Sequence, residues 1–338
     1  MHTAAARQTL QTRLFPKGIP RLWCPTLTHF QAAHIPDPAR IRAHLSALSP
    51  HVRGILVPGS TGEGWEMNDE EIRALLAIVL DAAQKLGMRV LIGVLKTQVE
   101  EMHLSIEAIG ALRDHPAVAG ITVCPPKGVS LSQTEIQTAL AGILDLGWPT
   151  ALYQLPQVTQ NEMEAATVAA LAEEFPNFIL FKDTSGADRV AKSGRDFGGV
   201  FLVRGAEGHY ATWPRRAGGP YDGFLLSTAN VFASHFAKLL QMLDQGNAHE
   251  AQALSSKIDG IVTQAFQMVS AFPSGNAFTN ANKALDHCMA FGESVPSVEP
   301  PLLYSGVRLP VEFIRHSMDL LRENGLLPKS GYFSPASS

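Results

Sequence analysis

Short runs of apolar and β-branched residues alternate along this chain with longer stretches in which apolar positions recur every three or four residues. The runs fall at 22–26, 54–57, 89–94, 118–123, 150–153, 178–181, 200–203 and 222–226. A compact apolar run between turn residues fits a strand buried on both faces, and a longer stretch with a 3.6-residue period fits a helix laid over it. The stretch 68–86 shows the helical signals: Asn68 can cap, Glu71 stands three residues on, and Gly87 follows the last turn. Eight strands in strict alternation with helices predict an α/β fold, a closed (β/α)₈ TIM barrel, because an open doubly wound sheet usually has fewer strands.

After Asn230 the strand signal stops. Helical periodicity at 233–245, 248–269 and 310–324 predicts a helical C-terminal appendage. The proline-rich segment 296–301 reads as a loop, and the tail from Pro328 as poorly ordered. The first residues carry Arg7, Arg13 and Lys17 without an acidic residue and lack the apolar core of a secretory signal, which predicts a flexible extension. The expected organisation is an extension at 1–17, the barrel at 18–232, and C-terminal helices and tail at 233–338.

Composition narrows the function classes. With 338 residues, 46% hydrophobic and 17% charged, the chain suits a globular enzyme, and a net charge of -4 offers no broad basic surface for nucleic acid. Its apolar runs fall far short of the roughly 20 residues that cross a membrane. Cys24, Cys124 and Cys288 lie far apart without CxxC spacing, which points to reduced thiols in a cytoplasmic setting and to no zinc site. His29, His34, His44 and His51 fall in loops and helices without ligand spacing, so no metal centre is expected.

In a TIM barrel the chemistry sits where the strands end. The wholly apolar run 178–181 ends in Lys182. A lysine at the mouth of an apolar barrel loses hydration, which disfavours the ammonium and frees the amine to attack a carbonyl; pairing with a rim carboxylate is the alternative. Tyr153 ends the fifth run, either to pass protons or to plug the core. After the second run, 58–63 reads PGSTGE, in which glycines let backbone N–H groups turn inward and two hydroxyls add donors. That is a carboxylate cradle or a tight turn into the next helix. Neither GxGxxG nor P-loop spacing occurs, so nucleotide binding has no support.

Taken together, GSTGE at 59–63, Tyr153 in YQLP, Lys182 in KDTSG and GFLLSTAN at 223–230 resemble the dihydrodipicolinate synthase and N-acetylneuraminate lyase superfamily of class I aldolases, over roughly residues 18–310. The resemblance implies that Lys182 forms a Schiff base with a 2-oxo acid, that Ser60 and Thr61 bind its carboxylate, and that Tyr153 shuttles the proton. It places Thr184, Gly205, Glu207 and Ser227 against the hydroxyls of a longer substrate. It implies no metal or organic cofactor, a small-molecule 2-oxo acid as partner, and a homo-oligomer, tetramer or dimer.

The chain also departs from the pattern. The arginine that follows Tyr-x-x-Pro in the synthases is absent, the residues there being Gln157, Val158 and Thr159. The loop Cys124-Pro125-Pro126-Lys127-Gly128 lacks the family's intersubunit tyrosines, and Gln154 replaces the usual asparagine. Lys96 and Lys127 at strand ends hint at an acidic distal group. The expected function is therefore a Schiff-base aldolase acting on a 4-hydroxy-2-oxo acid, with pyruvate as product or donor. A dehydratase or condensing synthase of a sugar-derived 2-oxo acid, or a small-molecule sensor on the same barrel, are the alternatives.

Overall fold

In the computed structural model, which describes residues 2–333, the eight runs form parallel strands closed into one barrel. They are β1 (Leu22–Pro25), β2 (Gly54–Val57), β3 (Arg89–Val94), β4 (Val118–Val123), β5 (Thr150–Gln154), β6 (Phe178–Asp183), β7 (Phe201–Arg204) and β8 (Gly223–Leu225). Each strand pairs with its sequence neighbours, and β1 closes the ring against β8. The runs at 150–153 and 178–181 extend further than their apolar residues: Tyr153 pairs with Lys182 and Gln154 with Asp183, so the ladder carries these polar side chains inside the strands.

Two apolar layers hold the barrel. Its interior is filled from the strands by Trp23, Leu56, Leu91, Ala151, Ile179 and Val203 among others. Gly54 makes room for the largest of them, since a Cβ there would lie 2.3 Å from the Trp23 ring. The outward faces pack on the surrounding helices in a second, larger core. The helix Asp69–Leu86 has the expected capping box from Asn68 and Glu71 and ends at Gly87 in the left-handed conformation. No helix among the described residues is long and apolar enough to cross a membrane.

Both chain ends correct the expectations. The segment expected as a flexible extension forms a helix, His2–Leu14, across the N-terminal ends of the strands. It has no apolar stripe to announce it. It is held instead by Arg7, which donates to the carbonyls of Ala172, Phe175, Phe178 and Gly198, and by Gln11, which donates to Ile179 and Gly199. Leu14 and Phe15 then close the inner core, Phe15 edge-on to Trp23 at 5.8 Å. Burial lowers the Arg7 guanidinium pKa to about 10. The tail expected to be poorly ordered from Pro328 is packed through Phe333, because the Tyr332 hydroxyl donates to Asp286 over 2.7 Å; residues 334–338 lie outside the described residues.

The C-terminal helices are Ala229–Asp244, Ala248–Val269, Ala277–Phe291 and Val311–Glu323. The third had no counterpart in the periodicity. Its polar residues Asn280, Asn282, Lys283, Asp286 and His287 are all buried. Lys283 reaches Glu63 and the carbonyl of Leu302, and Asp286 meets Arg40, His29 and His44. Spacing set His29 and His44 apart from any ligand set, yet the fold brings both onto Asp286, with candidate ligand atoms within 4.8 Å. The Arg40 guanidinium lies 2.6 Å from the Asp286 carboxylate, and both His44 nitrogens are engaged by Tyr332 and Asn230. Arg40 already supplies the countercharge a metal ion would bring, so this donor set fits a buried ion-pair network better than a metal centre.

Candidate active site

Register sets the centre of the site. Because β5 and β6 pair Tyr153 with Lys182, the two side chains project side by side, and Lys182 Nζ lies 3.8 Å from the centre of the phenol ring. Lys182 is only 4% exposed. Burial disfavours its ammonium and lowers the pKa to about 7, with Cys124, Glu207 and Cys24 pulling it partly back. With a pKa near 7, about half of it is free amine in neutral solution, and a free amine is nucleophilic. Tyr153 is also buried, which raises its pKa well above the usual value and keeps the phenol protonated; interactions with the Thr184 and Ser60 hydroxyls offset part of this.

The turn after β2 is a short 3₁₀ segment, Ser60–Gly62, followed by Glu63 in the left-handed conformation. The N–H groups of Gly62 and Gly64 both fold back onto the carbonyl of Gly59, while Ser60 and Thr61 line the cavity. The turn is fixed from outside. Thr28 donates to Gly62 O over 2.8 Å, Asn276 to Ser60 O over 3.1 Å, and Thr279 to Thr61 O over 3.0 Å. Beneath it, Glu63 is buried against Lys283.

Seven of the eight residues named from the sequence line one cavity: Ser60, Thr61, Tyr153, Lys182, Thr184, Gly205 and Ser227. Gly205 is needed there for space. A Cβ at that position would lie 2.2 Å from Thr184 Oγ1 and 2.9 Å from Lys182 Cε. The Thr184 hydroxyl is buried in the cavity wall beside the Tyr153 phenol. Glu207 stands one step back, accepting from Ser227 Oγ at 2.6 Å, Thr228 Oγ1 at 2.7 Å and Tyr210 at 2.9 Å. Its carboxylate therefore orients Ser227 and is not itself turned to the cavity.

Two aromatic residues escaped the sequence reading. Phe278, from the N-terminal turn of Ala277–Phe291, also lines the cavity, whose volume is about 10 Å³, room for roughly one water molecule. Trp65 packs with Val158 on the cluster of Cys124, Tyr153 and Leu155. Neither lies at a strand end, so nothing in the pattern marked them. A larger cavity of about 580 Å³ opens at the opposite end of the barrel beside Lys17, Arg53 and Arg89, but its lining offers no buried nucleophile. Chemistry, not volume, selects the mouth.

The departures have local consequences. Val158 occupies an apolar patch where the synthases have a cation. Arg204, in β7, is locked to Asp188 at 2.9 Å and covered by the Trp213 ring. Lys96 faces Asp69 at 3.7 Å and Lys127 is exposed, so neither is brought into the cavity. Gln154 accepts from Met163 N at 2.7 Å while its buried amide nitrogen has no partner among the described residues.

A closed parallel (β/α)₈ barrel with a buried amine and phenol side by side near a turn that carries two hydroxyls defines the class of fold and its candidate site. The chain belongs to the dihydrodipicolinate synthetase family, whose model matches residues 41–277. It is similar to the 4-hydroxy-tetrahydrodipicolinate synthase of Lactococcus lactis subsp. lactis, 25% identical over 229 residues that cover 67% of this chain and 74% of the relative. It is also similar to a probable mitochondrial 4-hydroxy-2-oxoglutarate aldolase of Emericella nidulans, 24% identical over 258 residues covering 73% and 79%. In fold it matches the dihydrodipicolinate synthase of Bacteroides thetaiotaomicron, with a TM-score of 0.74 at 17% identity over 90% of this chain and 99% of that one. The family's lyases and synthases are thus its relatives.

Proposed function

We propose that the chain is a class I aldolase that cleaves or forms a 4-hydroxy-2-oxo acid through a Schiff base on Lys182, with pyruvate as the common product or donor. The observation that carries this reading is the buried Lys182 amine, with its pKa near 7, beside the Tyr153 phenol. The substrate carboxylate rests on Ser60 and Thr61, and Lys182 attacks the ketone and expels water to give a protonated imine. The C3–C4 bond then breaks, its electrons entering the imine to leave a neutral enamine, while the C4 hydroxyl proton passes to Tyr153. Tyr153 is a neutral phenol, so it hands its own proton to Ser60, which hands its own to the bound carboxylate. The reverse path reprotonates C3 of the enamine, and hydrolysis releases pyruvate. No step calls for a metal or organic cofactor. The likeness to an aldolase supports this direction of chemistry.

The test is covalent. Borohydride added with pyruvate should leave a stable adduct on Lys182, and Lys182→Ala should abolish both adduct and turnover. An adduct on Lys96 or Lys127, or none with any 2-oxo acid, favours the sensor alternative. Aspartate semialdehyde should be a poor partner, because Val158 provides no cation for its carboxylate. A homo-oligomer in the cytoplasm remains part of this reading, with sedimentation as its check.

A further inference from the structure

The Trp65 indole touches both halves of the proton path. Its Nε1–H donates to Ser60 Oγ over 2.8 Å, while its half-buried ring lies on the cluster that contains Tyr153. An indole N–H near a protein surface commonly finds some oxygen, and packing alone would explain the ring. The partner it finds here is the Ser60 hydroxyl, which also interacts with the Tyr153 phenol and lines the cavity.

A serine hydroxyl has one proton to give and two lone pairs to receive, and an indole N–H can only give. Trp65 therefore takes one lone pair of Ser60 and excludes any orientation in which the Ser60 proton points at the ring. What remains is one lone pair and one O–H. A carboxylate can use only the O–H, and that leaves the remaining lone pair to the phenol, a group able to donate as well as accept. All three sites of Ser60 then have one assignment each.

We propose that Trp65 is a positioning residue for the aldol step, fixing Ser60 Oγ so that it accepts from Tyr153 and donates to the substrate carboxylate. The inference rests on the aldolase reading above. Trp65 meets no reacting atom and acts through Ser60. The path it organises is assembled from one chain, from the turn after β2 and the end of β5.

The test uses the full chain. Trp65→Phe keeps an aromatic ring on the cluster and removes the N–H. The expected result is a turnover rate lowered about tenfold, the worth of one modest hydrogen bond, with KM for the 2-oxo acid nearly unchanged. Borohydride trapping with pyruvate should stay at the wild-type level, and the solvent isotope effect on kcat should rise as proton transfer becomes slower. A ring that only supports the fold would lower trapping and turnover together. In a Ser60→Ala background the Trp65→Phe change should cost nothing further, and Trp65→His, which keeps an N–H, should recover part of the rate in the native background. Unchanged kcat in Trp65→Phe, or losses that add in the double variant, overturns the role of Trp65 while leaving the aldolase reading intact. Wild-type protein that forms no adduct with any 2-oxo acid overturns both.

Discussion

Lys182 shows how one buried group ties activity to stability. It must lose its proton to attack, so the rate of imine formation should rise as pH passes through about 7 and level off above it, measured as initial trapping rates across a pH series. Its folded pKa lies below the ordinary value of 10.5, so between about 7 and 10.5 the unfolded chain binds more protons than the folded one. Unfolding free energy contributed by this group therefore rises with pH across that window, and below it the cost of burying the cation is felt in full. Lys182→Met should stabilise the protein by roughly 2–5 kcal/mol below about pH 7, with the advantage shrinking as pH climbs, as read by urea melts. Lys182 and Tyr153 were legible because a polar residue at the end of an apolar run is conspicuous. Trp65 and Phe278 were not, since their importance comes from which hydroxyl or cavity the fold brings beneath them.

The helix Ala277–Phe291 ties the appendage to the turn after β2. Through Asn276 and Thr279 it holds the carbonyls of Ser60 and Thr61, and through Lys283 it neutralises Glu63 below them. Lys283→Met should leave Glu63 buried and unpaired, costing about 3–5 kcal/mol. Loosening the turn should also raise KM for the 2-oxo acid. Adding Glu63→Gln should restore part of the stability, so that the double variant melts above the single one. This helix stayed hidden in the sequence because its inward face carries asparagines, a lysine, an aspartate and a histidine where a hydrophobic stripe would announce a buried helix. The barrel helices are the opposite case. Asp69–Leu86 sits on an apolar core with an ordinary cap, and its pattern told its place.

Across the whole molecule, closed topology was legible from eight apolar runs, while the His2–Leu14 helix was not, since backbone carbonyls more than 160 residues away hold it and no side-chain pattern records them. That separation governs timing. The helix is made before its acceptors in and around β6, which follow after roughly 10–35 seconds of synthesis. During that interval Arg7 has no native carbonyls to bond, and closing so long a loop gains nothing until the far strands are formed. The clasp should therefore set after the rate-limiting barrier to folding. Arg7→Met is expected to leave the refolding rate almost unchanged and to speed unfolding, so that a chevron plot moves on its unfolding limb alone. The His2–Leu14 helix thus acts as a brake on the way out of the native state.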